Sequence, residues 1–238
     1  MGISKDLESD VQSTIDTLWS KRDGKKIPGT DEVALAGGAV EIAATFLYAD
    51  LANSSKMVKE LDRRIAAKIL KSFLGTSAKI IKKCNGKVVS FDGDRIMGVF
   101  HGGSKNSNAA KCALNIKYAV VQIIRPKFEK KYDAVKNASF KIDHGVGVDT
   151  GTVLAVRAGA RGSNDLIWIG RAPNLAAKLS DLRDSPYQSY ITGSVFNKMS
   201  DASKFGGENK DKCMWEKMSW NFLEENISVY RSKWHWQP

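Results

Sequence analysis

The sequence predicts an α+β domain, with helices packed on a mixed or antiparallel sheet. Strand-like and helix-like stretches alternate along the chain, and some strand-like stretches follow one another directly as hairpins, which a purely parallel sheet does not allow. The chain has 238 residues, of which 42% are hydrophobic, enough for one sizeable core. No internal repeat of about 20–50 residues interrupts that pattern.

Taken in order, Leu7, Val11, Ile15 and Leu18 keep helical spacing and predict a helix over residues 6 to 20. KRDGKKIPGT then breaks the pattern with glycines and a proline, so residues 1–35 read as a helical arm on a main domain of residues 36–238. EIAATFLYAD is an apolar run ending in Asp50 and predicts a buried strand. Val58, Leu61, Ile65, Ile69 and Phe73 predict one or two helices between Asn53 and Lys83. KVVSF and RIMGVF flank Asp92-Gly93-Asp94, a hairpin signal. Residues 107–124 predict an apolar-faced helix that Pro126 helps to close.

SFKIDHGVGVD alternates through Phe140, Ile142, Val146 and Val148, and GTVLAVRAG and DLIWIG predict two more strands. PNLAAKLSDL begins with proline, tolerated at a helix start. SYIT, a short helix from Gly193 to Met199, and strands around Met214-Trp215 and Val229-Tyr230 complete the chain.

Several function classes drop out. The longest apolar stretch, Ala36 to Ala49, is too short to span a bilayer and contains Glu41, and MGISKDLESD lacks the order of a signal peptide. Cys84, Cys112 and Cys213 are scattered, with no CxxC spacing, which points to a reducing cytoplasm. His101, His144 and His235 form no zinc motif. The net charge of +11 suits either a nucleic-acid surface or a pocket for small anions. The basic runs KIIKKCNGK and RPKFEKKY lack interleaved aromatics and read as solvated helix faces, so nucleic acid is not the expected partner.

Two carboxylates stand out by position. Asp50 ends a strand and Asp94 sits at the tip of the next hairpin, so neighbouring strands bring them to one end of a sheet. Such a pair can hold two hard divalent ions, and the helix start after Asp50 offers free N–H groups to a polyphosphate. Plainer readings stand beside this one: Asp50 as a helix cap, and Asp92-Gly93-Asp94 as a turn. GVGVDTG imitates a dinucleotide fingerprint, but Gly145, Gly147 and Gly151 do not fit GxGxxG and suggest strand–turn–strand.

FLYADLANSS, VVSFDGDRIMGVF, HGVGVDTG and WIGRAPNLAAKL occur in the order of the class III nucleotidyl cyclase motifs. YADLANSSK, SFDGDRIMGVFHGGSKNSNAAKCAL, RAGARGSNDLIWIGRAPNLAAKLS and VYRSKW further resemble the bacterial Pycsar pyrimidine cyclases, from about residue 40 to the end. The resemblance implies a class III cyclase-like sheet of ferredoxin-like or palm type with packed helices, residues 36–238 being the catalytic domain. It implies a homodimer with sites at the interface, two metal ions per site bound by Asp50, Asp94 and the Leu51 carbonyl, and Asn174 supplied by the other subunit to orient the ribose. Manganese is favoured over magnesium.

Several positions turn on departures from the general cyclase pattern. Lys178 stands where many relatives place a catalytic arginine, and it lacks the planar fork. Ser90 and, approximately, Ile167 occupy the places where purine cyclases read their base, so no purine-reading ion is present. Tyr48 lies two residues before Asp50 and is placed to narrow a pocket toward a one-ring base; Arg95 is a candidate for base or phosphate, and Arg171 for phosphate. Tyr48 also reads as a core aromatic, and Arg95 and Lys178 as surface charges.

The expected reaction is conversion of UTP to 3′,5′-cyclic UMP and pyrophosphate, in antiphage defence, with a separate effector protein activated by the product. The alternatives are a cytidylate cyclase acting on CTP, an inactive nucleotide-binding regulatory module, and a nucleic-acid-binding protein.

Overall fold

The structure, a computed structural model of the chain, describes residues 2–160 and 162–238. Met1, in the predicted arm, and Arg161, in the RAGARGSNDL stretch, lie outside the described residues. The first elements are α1 (Ile3–Asp16), β1 (Ser20–Asp23), β2 (Gly38–Ala52), α2 (Ser54–Glu60) and α3 (Arg63–Lys83). There follow β3 (Lys87–Asp92), β4 (Arg95–Phe100), α4 (Lys105–Tyr118), α5 (Arg125–Lys131), α6 (Asp133–Lys136) and β5 (Asp143–Ala160). Then come β6 (Ser163–Ile169), α7 (Arg171–Leu179), β7 (Ser189–Thr192), α8 (Gly193–Lys198) and α9 (Asp201–Lys204). The chain closes with β8 (Phe205–Gly206), β9 (Lys212–Cys213), β10 (Glu216–Phe222) and β11 (Glu225–Ser232). No helix among the described residues is long and apolar enough to cross a membrane.

Two compact units result: residues 1–43 with 152–171, and residues 44–151 with 172–238. In the larger unit the strands follow the order β10-β11-β7-β5-β2-β4-β3. β5 and β7 pair in parallel, whereas β2/β4, β3/β4, β7/β11 and β10/β11 are antiparallel, the mixed sheet that the alternating pattern predicts. Alternation sorts each strand's side chains. Leu47, Ala49 and Ile96 turn toward α3 and α4 and join Ile69, Phe73, Ile81 and Leu114 in the main core, together with Val146 and Val148. The Asn53–Lys83 region divides because Asp62 caps α3, its side chain accepting from the Arg64 amide. Val58, expected on the apolar face, is exposed.

The structure corrects four expectations in this unit. Asp50 does not cap a helix: β2 runs on to Ala52, and Asn53 is the N-cap of α2. Pro126 does not close the helix before it. A π-helical turn over Ala119–Ile124 continues α4, and Pro126 sits at the start of α5, which carries the helix on to Lys131. The glycines of GVGVDTG do not end a strand, because β5 runs unbroken from Asp143 to Ala160. Met214-Trp215 is not strand; the Trp215 indole donates to the Ser203 carbonyl at 2.9 Å, and pairing starts at Glu216.

In the smaller unit, α1 buries none of its residues. The end of the predicted helix and the start of the predicted break form β1, which pairs in parallel with the start of β2, Ser20 opposite Gly38. The outer part of β5 turns back through β6, and Val33, Val40 and Ala155 form a small core with Leu166 and Trp168. Ile167 lies on the exposed side of β6.

The larger unit also buries a polar cluster. The Lys117 ammonium donates to the carbonyls of Pro186 and Lys233, at 2.8 Å each, and burial pulls its pKa down to about 8. His144 is fully buried, its ring nitrogens without hydrogen bonds, Nδ1 standing 3.5 Å from the Asp143 carboxylate. Burial holds its pKa below the usual histidine value, against the opposing pull of Asp143. Below about pH 6.5 the unfolded chain therefore takes up a proton that the folded chain refuses. Between pH 7.5 and pH 5.5 the urea midpoint of wild type should fall further than that of His144→Leu. A gap independent of pH would contradict this origin.

Candidate active site

The site is built on three adjacent strands. Asp50 of β2 faces Arg95 of β4, which faces Asp92 of β3; two residues along, Tyr48, Met97 and Ser90 form a parallel row. Because alternate residues share a face, both rows lie opposite the Leu47–Ala49–Ile96 side. A bulge makes this possible in β3, where the register shifts between Val88 and Ser90. Val88 packs toward the core, and the extra residue turns Ser90 to the Tyr48 face. The Gly93-Asp94 turn, with Gly93 at φ +58, carries Asp94 to the end of the same strands. The Leu51 amide donates to the Asp94 carbonyl at 3.3 Å and ties the turn to β2 directly after Asp50, while the Leu51 side chain is buried in the core.

Asp50 is 5% exposed. Burial and then the charge of Asp94 raise its carboxyl pKa, against the lowering effect of Arg95 and Arg183. The two carboxylates are thus close enough to repel, as the strand pairing predicts. Arg95 Nη2 lies 3.4 Å from Asp50 Oδ2 and 2.8 Å from Asp181 Oδ1. Arg183 forms a short ion pair with the same Asp50 oxygen. Tyr48 is half-buried, and burial raises its phenol pKa against the pull of Arg95, so it stays protonated and able to donate.

Helix α7 supplies the other predicted residues. Its buried stripe contains Ala172, Leu175, Ala176 and Leu179, while Arg171, Asn174 and Lys178 are exposed at helical spacing. Among the described residues, neither Asn174 nor Lys178 is hydrogen-bonded or ion-paired to Asp50 or Asp94. The helix seats on the glycines of β5: a Cβ at Gly147 would fall 2.1 Å from the Ala176 carbonyl oxygen, and one at Gly145 as close to that of Ser180. Those glycines serve backbone approach rather than phosphate binding.

The structure therefore gathers Tyr48, Asp50, Leu51, Ser90, Asp94 and Arg95, and leaves Arg171, Asn174 and Lys178 on an exposed helix face. Asp181 and Arg183 were missed. They follow α7 in LSDLRDSPY, and no spacing rule links that segment to a strand so far away in sequence.

Oxygen-only donors with adjacent negative charge suit a hard divalent cation, and the guanidinium groups on Asp50 occupy the place of such a charge. Among the described residues, no group of three or more His, Cys, Asp or Glu gathers to hold a metal. An ion here would need further oxygens, such as a backbone carbonyl or the phosphates of a nucleotide.

No family model matches the chain. Among solved structures, a bacterial light-regulated adenylyl cyclase superposes with TM-score 0.67 at 20% identity, covering 82% of this chain and 53% of that one. The guanylyl cyclase Cya2 gives 0.67 at 15% identity, covering 83% and 95%. These likenesses show the class III cyclase fold. By sequence, the chain is 56% identical over 238 residues to a uridylate cyclase of Rhodovulum sp. (strain MB263), covering 100% of this chain and 99% of the relative. It is 40% identical to a uridylate cyclase of Xanthomonas perforans, with coverage of 100% and 99%. A third, from Burkholderia cepacia, is 39% identical with 99% of both covered. With full-length identity of this degree and the class III fold, the chain belongs to the class III-like nucleotidyl cyclase family and is a nucleotidyl cyclase.

Proposed function

We propose that the protein is a uridylate cyclase, converting UTP to 3′,5′-cyclic UMP and pyrophosphate. The observation that carries this reading is the Asp50–Asp94 pair beside Tyr48 and Ser90, on one face of β2, β4 and β3, in a chain 56% identical to a uridylate cyclase. Asp50, Asp94 and the Leu51 carbonyl would hold two divalent ions, manganese by preference. Such ions, when bound, favour ionisation of the ribose 3′-hydroxyl and offset charge on the α-phosphoryl group.

The 3′-oxygen bonds to the α-phosphorus, the bond from that phosphorus to the oxygen bridging to the β-phosphate breaks, and the hydroxyl proton passes to solvent. Tyr48 narrows the pocket toward a one-ring base, and Ser90, able to donate or accept, hydrogen-bonds its edge. Arg95 lies beside them to meet base or phosphate. No Lys or Glu stands at Ser90 to read a purine, which favours pyrimidines. Uracil over cytosine rests on the named relatives, and CTP is the second reading.

Asn174 orients the ribose and Lys178 neutralises phosphate charge, both from a second copy of the chain, with Arg171 a further phosphate contact. Their exposure, and the lack of any bond to the acidic pair among the described residues, support sites shared across a homodimer. The cyclic product would serve antiphage defence by activating a separate effector protein.

Mixing inactive Asp50→Ala and Asn174→Ala chains tests the shared site. Random exchange makes half the dimers mixed, each with one intact site, and should restore about a quarter of wild-type UTP cyclisation. No recovery, with exchange verified by mass, would place Asn174 in the same chain's site or outside it.

A further inference from the structure

We infer that Arg183 is an exchangeable counter-charge: it neutralises Asp50 until a divalent cation takes that carboxylate, and then pairs with the triphosphate of the nucleotide. The inference rests on the reading of Asp50 as a metal ligand and adds a substrate-binding residue to it. A carboxylate 5% exposed needs a positive partner, and two guanidinium groups meet Asp50 at one oxygen.

The two arginines are held differently. Arg95 makes its shorter contact with Asp181, at 2.8 Å against 3.4 Å to Asp50, so it keeps a carboxylate partner if Asp50 is taken. Among the described residues, the ion pair of Arg183 is with Asp50 alone. A divalent ion arriving at Asp50 would repel that guanidinium and leave it in search of an anion. A triphosphate is the anion a cyclase site receives, and a guanidinium binds phosphate oxygens in bidentate fashion.

The exchange requires a side chain to swing, not a loop to move. Leu182 packs with Leu175, Leu179 and Tyr190, and the backbone at Ser180 and Leu182 lies against Gly145. On the other side, the Asp184 amide donates to the hydroxyl of the fully buried Tyr190 at 3.0 Å. The Arg183 backbone is thus fixed between two anchors, while its side chain, 37% exposed, is free to change rotamer. Metal and nucleotide binding are then coupled through one residue: without nucleotide Arg183 competes with the ion, and with nucleotide it has another partner.

The test is Mn²⁺ binding without nucleotide, followed by electron paramagnetic resonance of the free ion, in wild type, Arg183→Gln and Asp50→Asn. Arg183→Gln should bind Mn²⁺ about 3–10-fold more tightly, and a non-cleavable UTP analogue more weakly by a similar factor in calorimetry. Arg183→Lys should fall between. Unchanged or weaker Mn²⁺ binding in Arg183→Gln, with binding lost in Asp50→Asn, would overturn the exchange and leave the metal reading intact. Wild-type Mn²⁺ binding in Asp50→Asn would overturn both.

Discussion

Replacing Asp50 with alanine should lower cyclic-nucleotide formation by about 10³-fold or more while leaving the fold in place. The carboxylate sits where burial and Asp94 both disfavour its charge, so its ionised form contributes little net stability. Arg95 and Arg183, with side chains 28% and 37% exposed, can recover water or other partners once it is gone. Asp50→Asn, which keeps the shape, should melt within a few degrees of wild type and be equally inactive. A residue that serves only as an ion-pair partner would behave otherwise, costing stability in proportion to activity. Turnover and melting temperature on the same preparations separate the two cases.

Gly147→Ala should produce a large loss of stability. The added methyl would lie 2.1 Å from the Ala176 carbonyl oxygen and 2.5 Å from the Ser180 nitrogen, both backbone atoms of α7 and its exit. Neither can be relieved by turning a side chain, so the helix must lift from β5. That opens the contact made by Leu175 and Leu179 with Tyr190. A cost of about 3 kcal/mol is expected, which lowers the melting temperature by roughly 6–12 °C. Because α7 carries Asn174 and Lys178, and its exit carries Arg183, activity should fall with the helix displacement even below the melting transition. Gly151→Ala, where the nearest atom is a side-chain methyl at 3.4 Å, is the matched control and should be mild.

The elements that position the acidic pair could be read from local chemistry. EIAATFLYAD declares a buried strand, Asp-Gly between two apolar runs declares a hairpin, and together they bring Asp50 and Asp94 to one place. The same local reading failed where tertiary packing set the outcome. The glycines of β5 look like a turn in sequence, yet they exist so that a helix backbone can approach, a demand that only the folded partner makes visible. Pro126 looks like a stop, yet the helix runs on past it through a π-helical turn into α5. Strand β1 hides in a glycine- and lysine-rich segment because its pairing partner, not its own pattern, makes it a strand. Asp181 and Arg183 were hidden for a related reason: ion pairs between distant segments leave no periodicity to read.

The most direct measurement of the central claim is to incubate the purified protein with Mn²⁺ and ATP, GTP, CTP or UTP separately and identify the products by mass. Cyclic UMP from UTP, with little or no product from the purines, is the predicted result. Cyclic AMP or cyclic GMP as the main product would contradict the pocket assigned to Tyr48 and Ser90, and no product from any of the four would contradict the two-metal assignment of Asp50 and Asp94.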